Sequence, residues 1–290
     1  MNYLFFIFFF TQLCLSQDIH MDKKIDIPHK VSEVSGIVFF KGKQELITFN
    51  DSGGKPELYI LSAKTGRLKR TIKVKNAKNI DWESITADDK FIYVGDTGNN
   101  YGNRKNLVIY KISKKAIAKK NVVKAKKIHF AYEDQRSFVT KIHLTNYDCE
   151  AITVHKKEIY LFTKNWENHQ TNIYRLPLTK GKHIAHKVHQ IDIGCLLTSM
   201  SYCSGNDTFM GTAYDKDYKS YLIKINHFNS RNQKVVKYDL YKSIGFANQV
   251  EGLAWKTNST LYISREASEV KLRGKKHKRN QKLIQISLRD

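Results

Sequence analysis

Three glutamates, Glu83, Glu150 and Glu251, occupy one position of a short phrase that recurs along the chain. Its copies read Val34-Ser35-Gly36-Ile37, Trp82-Glu83-Ser84-Ile85, Cys149-Glu150-Ala151-Ile152, Leu197-Thr198-Ser199-Met200 and Val250-Glu251-Gly252-Leu253. Residues at one phase of a repeat take equivalent places in a fold, so Ser35, Glu83, Glu150, Thr198 and Glu251 are expected around one axis. Carboxylates converging at low dielectric repel one another strongly. They must share protons, pair with basic side chains, or hold a bound cation. A hard cation with oxygen ligands, calcium above all, suits carboxylates helped by hydroxyls, amides and water. The metal ligands expected on this reading are Glu83, Glu150 and Glu251.

Further polar residues close the second apolar run of each unit: Asn50-Asp51, Asp96, Lys164-Asn165, Asp215 and Arg265-Glu266. Loops anchored on a rigid scaffold are where binding residues gather. Asn50, Asp51, Asp96, Thr198 and Arg265 therefore join the three glutamates as candidate channel and ligand-binding residues. Asp, Asn and Gly are also ordinary turn formers, and inner carboxylates can simply accept bonds from nearby amides. A lysine at position 164 can neutralise one carboxylate of the set. No Gly-x-Ser-x-Gly elbow and no C-x-x-C or H-x-E pattern is present, so neither a nucleophile nor a zinc site can be assembled, and no catalytic residue is assigned.

The elements that must position these residues are strands. Short runs of Val, Ile, Tyr, Phe and Leu alternate with polar residues and end at Gly, Asn, Asp or Lys clusters. Each phrase is followed by a second run (Glu45–Phe49, Phe91–Val94, Ile159–Phe162, Thr208–Thr212, Leu261–Ser264) and a third (Leu58–Leu61, Leu107–Tyr110, Ile173–Leu176, Tyr221–Ile225, Leu283–Ile286). A fourth follows in four units: Leu68–Val74, Ala125–Tyr132, Lys187–Ile193 and Lys234–Leu240. The last unit lacks one, and Lys24–Pro28 at the other end of the chain can supply it. Four strands per unit make a propeller blade. An outer strand donated by the N-terminus closes the ring and removes the free edge. The expected fold is an all-β, five-bladed β-propeller, a single domain over residues 18–290. A six-bladed ring is the alternative, with the extra blade hidden in the long spacing from Glu83 to Cys149. Lys114–Lys120 is the one short helix expected.

Residues 1–17 read as a signal peptide: an apolar run from Leu4 to Phe10, too short to cross a bilayer, precedes the small-residue site Cys14-x-Ser16. The chain is then expected in a secreted, periplasmic or envelope location, with no transmembrane segment. Lipidation at Cys14 is disfavoured by the bulky Leu13 before it. Beyond the signal, Cys149, Cys195 and Cys203 are an odd set. They read as small buried hydrophobes, with a Cys195–Cys203 disulfide as the alternative. Fifty Lys+Arg against 27 Asp+Glu leave a formal charge of +23, a surface that attracts polyanions. The excess is spread along the chain, and the densest run, Lys271 to Lys282, holds few aromatics, so sequence-specific nucleic-acid binding is not expected.

The segments Ser35-Gly36-Ile37 with Phe49-Asn50-Asp51-Ser52-Gly53-Gly54, and Asp81-Trp82-Glu83-Ser84-Ile85 with Tyr93-Val94-Gly95-Asp96-Thr97-Gly98-Asn99-Asn100, resemble the secreted propellers related to the SdiA-regulated and phytase-like families. Asp148-Cys149-Glu150-Ala151-Ile152 and Val250-Glu251-Gly252-Leu253-Ala254-Trp255 fit the same pattern. The resemblance implies a propeller fold, an envelope or secreted location and calcium in or near the channel, with Glu83, Glu150, Glu251, Asp51 and Asp96 as the residues carried over. Some relatives are phosphoesterases or esterase-like. Thr198 and Lys164 depart from the pattern. Three functions stay open: a monomeric propeller binding a small anionic or sugar-like ligand, a metal-dependent hydrolase of a phosphoester, lactone or ester, and a protein-interaction platform.

Overall fold

The computed structural model describes residues 18–230, 232–245, 249–272 and 275–289. The signal segment and Cys14 lie outside them. In chain order the elements begin with β1 (Asp18–Asp26), then a meander of β2 (Ile37–Phe40), β3 (Glu45–Thr48), β4 (Glu57–Ser62) and β5 (Leu68–Val74). A second meander holds β6 (Trp82–Ala87), β7 (Phe91–Asp96) and β8 (Val108–Ser113), then α1 (Lys114–Lys119), β9 (Val122–Val123) and β10 (Lys126–Tyr132). A third holds β11 (Asp148–His155), β12 (Glu158–Lys164), β13 (Gln170–Pro177) and β14 (Gly181–Asp192). A fourth holds β15 (Leu196–Cys203), β16 (Thr208–Tyr214), β17 (Ser220–Asn226) and β18 (Lys234–Asp239), followed by α2 (Tyr241–Ile244). The chain ends with β19 (Val250–Trp255), β20 (Thr260–Arg265), a hairpin of β21 (Ser268–Leu272) and β22 (Lys275–Arg279), and β23 (Lys282–Arg289).

The fold is all-β and propeller-like. The sheet orders are β2-β3-β4-β5-β9, β15-β16-β17-β18, β1-β23-β20-β19, and an eight-stranded β11-β12-β13-β14-β10-β8-β7-β6. The eight-stranded sheet is two meanders joined edge to edge, because the outer strands β10 and β14 pair in parallel. Nothing in the spacing of the repeat foretells this junction; it covers two outer edges at once. The expected closure is present: β1 pairs antiparallel with β23 from Asp18↔Arg289 to Asp26↔Lys282, longer than the Lys24–Pro28 strand expected. The first strands β2, β6, β11, β15 and β19 touch in a cycle, each meeting the next and β19 returning to β2.

The core lies in layers between sheets. Phe49, Leu58 and Ile72 meet Trp82, Ile85 and Val94 between the first two meanders. Corresponding layers pack Tyr93 and Ile109 on Cys149 and Leu161, Phe162 on Phe209, Leu222 on Ile263, and Tyr262 on Leu46 and Tyr59. Second strands are therefore buried on both faces, which is why Ile92-Tyr93-Val94 is an unbroken apolar run. Each such side chain taken from water contributes about 1.5–3 kcal/mol. Outer strands alternate, as in Leu68–Val74, where one face meets solvent.

Within the basic run from Lys271 to Lys282, Lys271 and Leu272 close β21 and Lys275–Arg279 form β22, which pair as an antiparallel ribbon. Cys149, Cys195 and Cys203 are buried free thiols. Cys195 directly precedes β15 and Cys203 ends it, with the whole 8-residue extended strand between their positions, so a disulfide between them is geometrically out of reach. No helix among the described residues is long and apolar enough to cross a membrane.

Candidate cation centre

The recurring phrase encodes a β-bulge. In the β6–β7 ladder the register steps from Trp82 to Ser84 and leaves Glu83 unpaired. The same step skips Glu150 in β11, Thr198 in β15 and Glu251 in β19. A bulge kinks its strand and re-aims the extra side chain. Four strand meanders, two of them in the eight-stranded sheet, thus deliver one residue each to the same end of the ring, the end where Asp96, Lys164, Tyr214 and Arg265 pair with the first strands. Glu83, Glu150 and Glu251 are all buried.

Their partners differ. Lys164 Nζ lies 3.0 Å from Glu150 Oε1, with both side chains at least nine-tenths buried. The same ammonium sits 4.8 Å from the Trp166 ring and 5.2 Å from that of Tyr214. Among the described residues Glu83 has no such cation. It stands instead with Asp51 and Asp81, one oxygen of each within 4.8 Å of the others. Glu251 faces Glu266, whose Oε1 accepts the Ser35 hydroxyl at 3.0 Å.

Local structure explains why these carboxylates are held together. Asn79 Nδ2 donates to the Asn50 and Asp51 carbonyls, at 2.9 and 2.6 Å, and so clamps the loop after β3. Its Oδ1 accepts the Trp82 amide, tying that loop to the start of β6. The loop after β7 wraps Arg104, which donates to the Gly98 carbonyl at 2.7 Å. Gly98 passes so close to Asp81 and Glu83 that a β-carbon there would collide with both carboxylates. Asp148 completes the frame, taking the Trp166 indole N–H at 2.8 Å.

The electrostatics follow from burial. Asp51 is pushed up to about 6, first by burial and next by neighbouring acids against the Ser52 amide. Asp81 rises to about 7 through burial and then the charge of Asp51. Glu83 and Glu251 stand well above the ordinary carboxylate range, by burial and then by Glu150 and Glu266 respectively. Burial raises Glu150 to about 8 even though Lys164 pulls the other way. Glu266 reaches about 7, through burial and then Asp51.

Several of the residues expected to line the channel do other work. Asp96 is fully buried next to Asp81 but is not one of the three acids; its Oδ1 accepts Arg104 Nη2 at 2.7 Å and the Asp81 amide at 3.1 Å. Thr198 Oγ1 donates to the Val250 carbonyl at 2.6 Å, tying the fourth sheet to the last. Asn50 donates to the Lys30 carbonyl. Arg265 donates to the Asn280 carbonyl. Asp215 closes its own turn, accepting the Asp217 and Lys219 amides. Two members of the acidic cluster, Asp81 and Glu266, are not among the candidate site residues, although Glu266 closes the second run of its unit with Arg265. Asp81 precedes Glu83 by two residues, beside the recurring phrase, and that proximity is the available signal. Glu266 follows Arg265, and of these two adjacent residues it is the second that enters the cluster.

No known protein family matches the chain, and no curated protein matches it. Among solved structures, a glucose dehydrogenase aligns with a TM-score of 0.51 at 11% identity, over 92% of this chain and 98% of its own. A luciferin-regenerating enzyme aligns at 0.48 and 8% identity, over 94% and 97%. The hydrazine synthase of Kuenenia stuttgartiensis aligns at 0.44 and 13%, over 80% and 74%. At these identities the likeness extends to a propeller-like fold alone.

Proposed function

We propose that the chain is a five-bladed β-propeller, one domain over residues 18–290 and exported, that holds a divalent cation, calcium first, at Asp51, Asp81 and Glu83. The cation site presents a small anionic or sugar-like ligand at the channel mouth. The blade count rests on the cycle of first strands, and the export on the signal-like segment. The observation that carries the cation reading is the three-acid group itself, where oxygens within 4.8 Å of one another suit one ion with ligands at about 2.3–2.6 Å. The buried ammonium of Lys164 is already engaged with Glu150. This moves the centre from the expected Glu83–Glu150–Glu251 set to one side of the mouth, keeping only Glu83. The resemblance to SdiA-regulated and phytase-like propellers is consistent with it.

Hydrolysis of a phosphoester, lactone or ester is the second reading. Glu266, raised to about 7 and outside the three-acid group though it feels the Asp51 charge, favours it, because a base that titrates near neutrality near a cation site is placed to take a proton from water. A bound cation would supply charge stabilisation there.

Thermal melting with calcium and with a chelator tests the centre. An ion present at about 100 times its Kd adds about 2.7 kcal/mol, a rise of several degrees. Glu83→Gln is expected to abolish that rise. Glu150→Gln is expected to lower the melting point in both conditions, by about 3 kcal/mol, because it leaves Lys164 buried with a weaker partner, while keeping the calcium increment. A calcium response equal in the parent and Glu83→Gln would sink the assignment.

A further inference from the structure

Two connections leave the mouth end of the ring side by side: residues 97–107, between β7 and β8, and residues 133–147, between β10 and β11. The Lys141 amide donates to the Tyr101 carbonyl and the His143 amide to the Asn100 carbonyl, both at 3.0 Å. Asn103 Nδ2 donates to Thr140 Oγ1 at 2.9 Å, and the buried Gln135 donates to the Gly102 carbonyl at 2.9 Å. The His143 ring stacks on Trp166 with centroids 3.9 Å apart. The loops so fastened nevertheless present apolar side chains to solvent. Tyr101, Val139, Ile142 and Leu144 are 50%, 65%, 56% and 57% exposed. They are four of the nine exposed large hydrophobic side chains among the described residues, gathered on two bonded loops. Apolar residues scattered singly over a surface are ordinary, whereas a contiguous group marks a contact surface.

Lys105, Arg136 and Lys141 stand exposed on the same two loops. None of them is in an ion pair among the described residues. The Lys105 ammonium lies over the Phe138 ring, 4.7 Å from its centre. The acids nearby are already engaged: Glu133 by His186 at 2.8 Å, Asp134 by the Tyr174 hydroxyl at 3.0 Å, and Glu167 by Asn146 at 2.6 Å. The loop pair is thus an apolar tip with a cationic skirt. A stable protein interface takes about 20–30 residues on each side, far more than this tip offers. A lipid surface asks for no matching shape: apolar side chains enter the headgroup layer while Lys and Arg meet anionic lipid. The chain's formal charge of +23 adds attraction toward such a surface.

We propose that these paired loops dock the protein on an anionic membrane surface. Tyr101, Val139, Ile142 and Leu144 enter the headgroup layer, and Lys105, Arg136 and Lys141 meet lipid phosphates. Because both connections rise from the mouth end of the ring, docking turns the mouth toward the lipid. The tip uses none of the acids of the cation centre and does not depend on an ion there.

Co-sedimentation of the full chain, in chelator, with vesicles of phosphatidylcholine alone and of phosphatidylcholine mixed with phosphatidylglycerol tests the proposal. Binding to the mixed vesicles is expected, weakening as salt rises. Ile142→Ser/Leu144→Ser leaves the charge unchanged and is expected to lower that affinity about tenfold or more, because interfacial binding scales with buried apolar area. Val122→Ser/Tyr241→Ser, which alters exposed apolar residues away from the loops, is expected to bind as the parent does. Leu144→Trp keeps the tip apolar, and its added fluorescence is expected to be quenched by lipids brominated in the acyl chains. No binding to the mixed vesicles, the outcome for a tip that serves a protein partner, would overturn the proposal. Equal binding by the parent and Ile142→Ser/Leu144→Ser would overturn it too, since overall charge alone would then hold the protein. An equal loss in Val122→Ser/Tyr241→Ser or an unquenched Leu144→Trp would have the same consequence.

Discussion

At the proposed centre a proton and a cation would compete for the same oxygens. Asp51, Asp81, Glu266 and Glu150 are raised to about 6, 7, 7 and 8, burial being the first cause in each. A carboxyl whose folded value lies above its unfolded value contributes stability that is complete below the unfolded value and is lost as pH rises through the folded one. In chelator, the melting temperature is therefore expected to fall between about pH 5 and pH 8. Calcium needs the deprotonated acids, so its stabilising increment is expected to grow over the same window. Melting curves at pH 5, 6.5 and 8 with and without calcium check both trends. An increment that stays constant with pH would show that the ion binds elsewhere. Glu150 is the exception at this scale, because Lys164 is its fixed counter-charge and no ion is needed there.

At the scale of elements, the bulge is the device that makes the mouth. A regular strand would send successive side chains to alternate faces. The skipped residue at Glu83, Glu150, Thr198 and Glu251 lets the flanking apolar residues keep their interfaces while the extra one turns to the ring end. Thr198 shows that the same bulge can serve cohesion, since its hydroxyl bridges to Val250 and meets Thr212 at 2.8 Å. Thr198→Val keeps the shape and removes these bonds. A loss of about 1–3 kcal/mol is expected from the unpaired Val250 carbonyl, with the calcium increment unchanged. Denaturant unfolding read beside calcium titration checks this; a lost calcium response would give Thr198 a role at the ion. The strand runs themselves were legible, because their both-faces-buried composition is local. The β10–β14 parallel junction was not, since pairing between distant outer strands leaves no periodic mark, and the β21–β22 ribbon was not, since its lysine-rich strands lack apolar alternation.

For the whole molecule, the terminal strand closes the last sheet. β1 supplies the outer strand of the last sheet, and Ile25 and Ile27 enter the core that also contains Val34, Leu46 and Tyr262. Removing residues 18–26 would expose β23 as an edge and open that layer. Such a variant is expected to aggregate or to melt at least 10 °C lower, a drop that about 4 kcal/mol produces in a chain of this size. Unchanged melting would mean that the ring does not depend on its terminal strand. The molecule also sets an acidic mouth in a chain of charge +23. That contrast arises because the few buried acids converge at one point while the lysines spread over the outer strands.

The sequence by itself determined the repeat, the order of strands in each meander and the closing role of the N-terminus, all of which follow from local apolar patterning and counting. It also marked the phase at which Glu83, Glu150 and Glu251 enter the ring. Only the tertiary structure decided which acids share a site. Asp51 joins Asp81 and Glu83 across two sheets, Lys164 captures Glu150, Arg104 withdraws Asp96, and Thr198 bonds to the next sheet. Those choices depend on distances of a few ångströms between segments remote in sequence, and on burial strengthening each charge, neither of which is written in the spacing of residues along one chain.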